Sequence, residues 1–430
     1  MKTIFRLLAL AVVLVPWSVQ AQVTAIRAGQ VVDPESGSTA RDQIILISGS
    51  TIQAVGADLS IPAGARVIDL SGSTVLPGLF DVHTHLSAAV NTSATVLKAY
   101  TVDVPTAFRA IQGVANAKAV LEAGFTTIRD LGNSGNYGDA AVKAAIETGL
   151  VPGPHMFISG KIIAPFGGQF IVGPEFPDVG RQDYIYADSR DELQKGIRQN
   201  IHFGADWIKI VMDDQRYIYS ADDVRYIIDE AGRAGLRVAA HCYTEQGARN
   251  AIEAGVASIE HGFEMSDETL RMAKDKGIVL VGTNLAQHLV PVWEGFGAAT
   301  MPMMSASADG PRNLYAQILD RLERAHRIGV EMAFGGDIYM MAPGHTHGSA
   351  ALENIDTWVD AGVPAADILR ALTTNGARLL GVSGERGAVK PGMAADLIAT
   401  ADNPLERITT LKHVLFVMKD GVVYRSQPTR

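Results

Sequence analysis

The sequence has a single cysteine, Cys242, in 430 residues, so no disulfide can form within the chain. It is also short of positive charge, because 37 lysines and arginines face 46 aspartates and glutamates and leave a net charge of −9. An acidic chain of this kind is a poor candidate for binding nucleic acid or an anionic membrane surface. These shortages exclude a disulfide scaffold and a nucleic-acid-binding protein, and we expect Cys242 to be a buried structural thiol.

Long apolar runs are also missing, except at the N-terminus. There Lys2 and Arg6 precede an apolar run from Leu7 to Val15, and Val19-Gln20-Ala21 resembles a signal-peptidase cleavage site. We predict that residues 1–21 are a signal peptide, that the protein is exported to the periplasm or secreted, and that it has no membrane partner once cleaved. Cleavage would leave 35 basic and 46 acidic residues, a net charge of −11. A retained membrane anchor is the alternative, but the run is short for a bilayer span.

The two ends of the mature chain share a β-rich pattern. Residues 22–75 contain short β-branched runs separated by glycines, and residues 385–430 contain similar runs separated by turn sequences. Neither stretch has a helical period. We predict that both ends form one small β-sandwich domain.

Residues 76–384 alternate short apolar runs with helical patterns, which favours parallel strands joined by crossover helices. Sequences of the capping-box type begin two of the helices, Ser189–Glu192 and Ser220–Asp223. Eight repeats predict an α/β fold, a (β/α)8 TIM barrel, whose active site lies at the carboxyl ends of its strands. The eight runs are Leu79–His85, Thr126–Leu131, His155–Gly160, Asp206–Met212, Arg237–Tyr243, Ser258–Phe263, Val279–Asn284 and Glu331–Asp337.

Polar residues near the ends of five of these strands form a candidate metal site. The two histidines of a His-x-His pair leave a strand on the same face and can bind one ion together. Five strong ligands with a lysine favour two ions, which can activate a water and polarise a carbonyl. A buried ammonium beside two cations would be repelled, so the lysine must be neutral, chemically altered or directed elsewhere. The set is His83, His85, Lys209, His241, His261 and Asp337.

The sequence around these residues resembles the metal-dependent amidohydrolase superfamily. It is most similar to the imidazolonepropionase-like branch, which includes Xaa-Pro dipeptidases and ochratoxin-hydrolysing amidases. The similarity covers nearly all of the mature chain. The matching segments are Pro77–His85, Lys209, His241–Tyr243, Glu260–Gly262, Gly335–Asp337 and Lys390–Ile398.

The resemblance implies how the metal site works. In such enzymes the lysine is carboxylated by carbon dioxide and bridges two zinc ions, which would remove the charge conflict at Lys209. By position, His83, His85 and Asp337 would hold the first ion, and His241 and His261 would hold the second. The resemblance also implies that Asp337 acts as general base and then general acid. It implies a homo-oligomer as well, although no stretch of the sequence specifies one.

The substrate is less visible in the sequence. The resemblance implies that His155 and Tyr243 bind the free carboxylate of a small-molecule substrate, and we expect His288 and the His345/His347 pair to line the pocket. The predicted reaction is hydrolysis of the amide bond of a dipeptide or an N-acyl amino acid. Two alternatives stay open: a cyclic-amide hydrolase or aminohydrolase acting on a heterocycle, and a non-catalytic periplasmic metal-binding or solute-binding protein.

Overall fold

The computed structural model describes residues 22–88, 103–169, 174–292 and 314–427. The predicted signal peptide therefore lies outside the described residues. The strands are β1 Val23–Asp33, β2 Ser38–Ser48, β3 Thr51–Gly56, β4 Arg66–Pro77, β5 Leu79–Thr84, β6 Phe125–Asp130, β7 His155–Ile158, β8 Ile162–Ala164, β9 Tyr184–Tyr186, β10 Trp207–Val211, β11 Arg237–Cys242, β12 Ser258–His261, β13 Val279–Val281, β14 Leu397–Thr400, β15 Phe416–Lys419 and β16 Val422–Ser426.

The helices alternate with strands only in the central part of the chain. None of the described helices is both long enough and apolar enough to cross a membrane. Three short 3-10 turns cover Val179–Gln182, Gln287–Leu289 and Ile408–His413. The α-helices are α1 Thr106–Glu122, α2 Gly138–Glu147, α3 Arg190–His202, α4 Ala221–Gly232, α5 Glu245–Ala254, α6 Asp267–Asp275, α7 Leu314–Ile328, α8 His347–Glu353, α9 Ile355–Asp360, α10 Ala365–Ala371 and α11 Thr374–Leu380.

Strands from both chain ends pair in one seven-stranded sheet, in the order β16-β15-β14-β4-β1-β2-β3. Its outer strand β3 also contacts the segment before β14, because Ile52 N donates to Met393 O at 2.8 Å. Apolar side chains from both ends, among them Ile26, Ile45 and Phe416, share one core cluster. The strands of both chain ends thus pair in one continuous sheet around a shared core.

The central strands are parallel, as the alternating pattern predicted. They pair in the orders β5-β6-β7 and β13-β12-β11-β10-β8-β9. Backbone hydrogen bonds connect these two groups: Asp206 N donates to Ile158 O at 2.8 Å, and Val82 N donates to Phe334 O at 2.9 Å. Ala333 N also donates to Leu280 O at 3.1 Å, so residues 331–337 lie between β13 and β5. The result is an α/β fold like a TIM barrel.

The fold differs from the predicted strands in two places that shape the site. The eighth run, Glu331–Asp337, pairs with β13 only through an isolated bridge at Met332, because Gly335-Gly336 and a left-handed residue at Asp337 (φ 52°) interrupt its extended backbone. The short strands β8 and β9, which were not predicted, extend the sheet beside β10. Both predicted capping boxes are confirmed, at the start of α3 and of α4.

Candidate metal centre

The six predicted metal ligands line one cavity at the carboxyl ends of the central strands. Asp337 lies at its middle. One carboxylate oxygen, Oδ1, is 3.2 Å from His85 Nε2 and 3.6 Å from His83 Nε2, and the other, Oδ2, is 3.7 Å from His261 Nδ1. The structure therefore brings together side chains that the sequence separates by more than 250 residues.

Asp337 is held in place by an unusual backbone. Its φ of 52° lies in the left-handed region, which non-glycine residues rarely adopt outside functional sites. Gly335, two residues earlier, has no room for a side chain, because a Cβ there would lie 2.7 Å from His83 Cβ and 2.5 Å from Val281 Cγ1. Asp337 N donates to His83 O at 2.8 Å, and Gly336 N donates to the buried Asp81 carboxylate at 2.8 Å.

A buried ion pair orients His83. His83 Nδ1 donates to Glu260 Oε2 at 2.7 Å, and Arg129 donates to the other oxygen of Glu260 at 2.8 Å. With its proton on Nδ1, His83 directs the lone pair of Nε2 into the cavity, as metal-binding histidines usually do. Burial alone would raise the pKa of Glu260, but Arg129, His83 and Lys209 together lower it well below its usual range. Glu260 is therefore a carboxylate throughout the neutral pH range.

No role was predicted for Glu260, and regular alternation along a strand would place it on the face opposite His261. His261 has a φ of 67°, which breaks the alternation, so both side chains reach the barrel interior. His261 Nδ1 is hydrogen-bonded to Thr283 Oγ1 at 2.8 Å. His85 is oriented in the same way, since its Nδ1 donates to Gly132 O at 3.0 Å.

Lys209 projects from β10 into the same cavity. It is 2% exposed, and its Nζ has no hydrogen-bond partner. Burial lowers the pKa of Lys209 to about 8, although Glu260 and Asp337 oppose the shift. The buried Nε2 of His241 likewise makes no hydrogen bond. Buried polar atoms are normally paired, so two unpaired nitrogens in one cavity fit a site that takes up a further group.

The donor atoms suit divalent transition metals. Imidazole nitrogens and carboxylate oxygens are typical zinc ligands, and a catalytic zinc needs only three protein ligands. Ligand atoms of His83, His261 and Asp337 all lie within 4.8 Å of one another. The residues present therefore fit a metal centre.

Aromatic and amide side chains form the rest of the cavity wall. Tyr243 contacts two of the histidines, with ring centroids 4.2 Å from His241 and 5.1 Å from His261. Apart from Tyr243, the remaining lining residues were not predicted from the sequence, although the loops after barrel strands are where such residues occur. They are Asn133, Ile162, Gln169, Tyr184 and Tyr339.

His155, a predicted substrate-binding residue, is not among the described residues that line this cavity. It is the first residue of β7, so it lies at the amino end of the strands, opposite the metal ligands. Its Nε2 is 3.4 Å from Asp396 and 3.2 Å from Asp420, both at the terminal sheet. Burial lowers the pKa of His155, but the two nearby carboxylates raise it by more. His155 therefore joins the barrel to the terminal sheet.

His288 and His347 are not among the described residues that line the metal cavity. His288 is half exposed in a 3-10 turn, and its Nε2 is 3.8 Å from Glu353. Its ring also lies 6.1 Å from that of His345. His347 is buried at the start of α8, where its Nε2 donates to Ala88 O at 2.9 Å. The structure gives both residues local contacts in place of the predicted pocket positions.

The chain matches the Amidohydrolase family over residues 74–424. It is similar to ochratoxinase of Aspergillus niger, with 28% identity over 94% of this chain and 87% of that protein. It is also similar to imidazolonepropionase of Geobacillus kaustophilus, with 25% identity over 88% of this chain and 91% of that protein. Among solved structures, a Xaa-Pro dipeptidase with methionine bound in its active site has a TM-score of 0.83 and 29% identity, covering 94% of this chain and 100% of that chain. The resemblance inferred from the sequence motifs is confirmed.

Proposed function

We propose that this chain, which belongs to the amidohydrolase family and hydrolyses amide C–N bonds, acts on a dipeptide or an N-acyl amino acid at a centre of two divalent metal ions. One observation carries the proposal: four histidines, Asp337 and the unpaired Lys209 Nζ converge on one buried cavity. The ochratoxinase and the Xaa-Pro dipeptidase support the substrate class. Family membership sets aside the non-catalytic binding protein that the sequence left open.

The ligands divide between the two ions. His83, His85 and Asp337 would hold the first ion, and His241 and His261 would hold the second. Lys209, once carboxylated by carbon dioxide, would be a ligand of both, which would give its buried and unpaired nitrogen a function. Zinc is the metal proposed, because imidazole and carboxylate ligands suit it. Divalent ions held there would lower the pKa of a coordinated water from about 15.7 to about 7 and would polarise the substrate carbonyl.

Asp337 moves the proton during hydrolysis. Burial would raise the pKa of this carboxyl group, but His83, His85 and Lys209 lower it, so Asp337 is ionised and able to accept a proton at neutral pH. Its Oδ1 faces His83 and His85 at the end of β5, so Oδ2 is the oxygen that takes the proton of the attacking water. Asp337 then returns this proton to the leaving nitrogen, so the general base becomes the general acid.

Tyr243 binds the carboxylate of the amino acid that leaves. Its ring is fixed by stacking on Phe263 at 5.1 Å and by the neighbouring His241. Burial raises the pKa of Tyr243 well above its usual value, so the hydroxyl keeps its proton and can donate it in a hydrogen bond. With His155 at the other end of the barrel, this assignment rests on Tyr243 alone.

Amidating the free carboxylate of a good substrate is expected to lower kcat/KM by about tenfold or more. A hydrogen bond to a charged group contributes roughly 1.5–3 kcal/mol, and this contribution is lost with the negative charge. Steady-state kinetics on matched free and amidated dipeptides would measure the ratio. Tyr243→Phe should remove most of this discrimination and leave the metal content unchanged.

Tyr226→Phe, on α4 and away from the cavity, is the matched control and should keep the wild-type ratio. Equal wild-type rates on free and amidated substrates would reject the carboxylate site. That result would favour the alternative substrates, a cyclic amide or another heterocycle.

Several further features belong to the same proposal. We propose that residues 331–337 close the central strands into an eight-stranded (β/α)8 barrel, as their hydrogen bonds to β13 and β5 support. We also propose that residues 1–21 direct export to the periplasm or the medium and that the mature protein is a homo-oligomer. A small molecule is its partner, and neither nucleic acid nor a membrane is.

A further inference from the structure

We propose that Asp214 is a further protein ligand of the second metal ion, beside His241, His261 and the shared Lys209. Nothing in the sequence motifs assigns a role to this residue. The inference rests on the proposed two-metal centre and adds to it a ligand from the loop that follows β10.

The position of the carboxylate carries the inference. Asp214 Oδ2 is 3.0 Å from His241 Nε2, and the Asp214 side chain is 8% exposed. His241 Nε2 nevertheless makes no hydrogen bond, so the two atoms are close without the geometry of a bond between them. If Asp214 were only the ion-pair partner of a protonated His241, its carboxylate would accept a hydrogen bond from the His241 N–H.

Two ligand atoms of one ion have this separation. With metal–ligand bonds of about 2.0–2.2 Å and angles between a right angle and a tetrahedral one, neighbouring ligand atoms lie roughly 2.8–3.6 Å apart. The proposed ligand pair at the first ion, His85 Nε2 and Asp337 Oδ1, is separated by 3.2 Å. The Asp214–His241 pair therefore has the spacing of two ligands that face a common ion.

The neighbouring aspartate fixes the loop and is itself unavailable to a metal. Asp213, Asp214 and His241 could form one cluster, since their ligand atoms lie within 4.8 Å of one another. Asp213, however, accepts hydrogen bonds from Tyr243 N at 3.0 Å and from Thr244 N and Oγ1 at 2.7 Å each. These bonds hold the loop after β10 against the end of β11 and leave Asp214 as the carboxylate of the cluster that faces His241.

A further side chain orients the Asp214 carboxylate. The amide nitrogen of Gln169 donates to Asp214 Oδ2, and Tyr184 OH donates to Gln169 Oε1 at 2.6 Å. Ligating carboxylates are commonly held by such outer hydrogen bonds, and losing one typically weakens metal binding about 10–100-fold. The unpredicted strand β9 contributes Tyr184, which gives this insertion a role at the site.

Metal content distinguishes this inference from the two-metal proposal on which it rests. The experiment compares wild type, Asp214→Asn, and Asp229→Asn, an exposed substitution on α4 with the same change of charge. Each protein is loaded with Zn²⁺, dialysed against graded concentrations of a chelator, and analysed for zinc per chain. Loading with Co²⁺ gives a visible spectrum as a second readout that does not depend on activity.

Wild type and Asp229→Asn should both keep close to two ions per chain. Asp214→Asn should lose one ion at a chelator concentration at least about tenfold lower, with the first ion retained. An Asp214→Asn protein that keeps both ions with wild-type affinity would overturn the inference and leave the two-metal proposal intact. Wild type that binds only one ion would instead overturn the two-metal proposal.

Two more variants keep the test decisive if Asp214→Asn does not fold. Asp214→Glu keeps a carboxylate and should bind the second ion more tightly than Asp214→Asn. Gln169→Ala keeps every proposed ligand but removes the donor to Asp214, so it should weaken the second ion and spare the first. Wild-type zinc affinity in a folded Gln169→Ala protein would contradict the arrangement.

Discussion

Asp337→Asn should lower kcat by about 10²- to 10⁴-fold, the usual contribution of a positioned general base. An asparagine amide keeps the shape of the side chain but accepts no proton at neutral pH, so water loses the group that deprotonates it. The loss should appear in both kcat and kcat/KM, because the proton is transferred in the transition state. Steady-state kinetics with a dipeptide substrate would measure it, with zinc content determined on the same samples.

Asp275→Asn, at an exposed position at the end of α6, is the control and should retain wild-type kinetics. If Asp337→Asn keeps its metal and more than a tenth of wild-type kcat, the proton-transfer role assigned to Asp337 is wrong. If it loses the first ion as well, Asp337→Glu separates the two roles, because it keeps a carboxylate that can still accept a proton.

Lys209→Ala should lose most activity together with bound metal. The proposed bridge between the ions comes from this one side chain, and alanine leaves neither a carboxylated nitrogen nor a substitute for it. Truncation also leaves space in a cavity whose walls are otherwise buried. Acetate or propionate should therefore enter that space and restore part of both the zinc content and the activity.

Lys209→Met is the matched control for this rescue, since it fills the space and cannot be carboxylated. It should be as inactive as Lys209→Ala but should not respond to acetate. Lys195→Ala, on the exposed face of α3, should behave as wild type. Full activity and metal content in Lys209→Met would contradict the bridging role.

The convergence of the proposed metal ligands on one cavity could be predicted because it depends on regular geometry. His83 and His85 lie two positions apart at the end of a strand, so the period of a strand places both on one face. In parallel strands the carboxyl ends lie together, which brings His241 and His261 to the same edge. The strand pattern and the positions of the polar residues were sufficient for this part of the site.

The positions of His155 and Glu260 could not be predicted, because they depend on features that the period of a strand does not show. His155 belongs to a correctly located strand but stands at its first residue, at the end away from the cavity. Glu260 lies on the same face of β12 as Ser258, and the left-handed backbone at His261 brings that histidine to the cavity as well, which no hydrophobic pattern indicates.

The insertion between β7 and β10 was missed for a different reason. Its strands β8 and β9 are three residues each, too short to show alternation, yet they bring Tyr184 and Gln169 to the cavity. The position of the Asp214 carboxylate depends on Gln169, which lies in this insertion. It also depends on the hydrogen bonds that Asp213 accepts from the segment after β11. Contacts of this kind become visible only in three dimensions.

The most direct test of the account is the number of divalent ions per chain in active wild-type protein. Elemental analysis of protein purified without chelators, paired with an assay of dipeptide hydrolysis on the same samples, would measure it. The account predicts close to two ions per chain and activity that falls as they are removed. Full activity with a reproducible count of one ion, or of none, would contradict it.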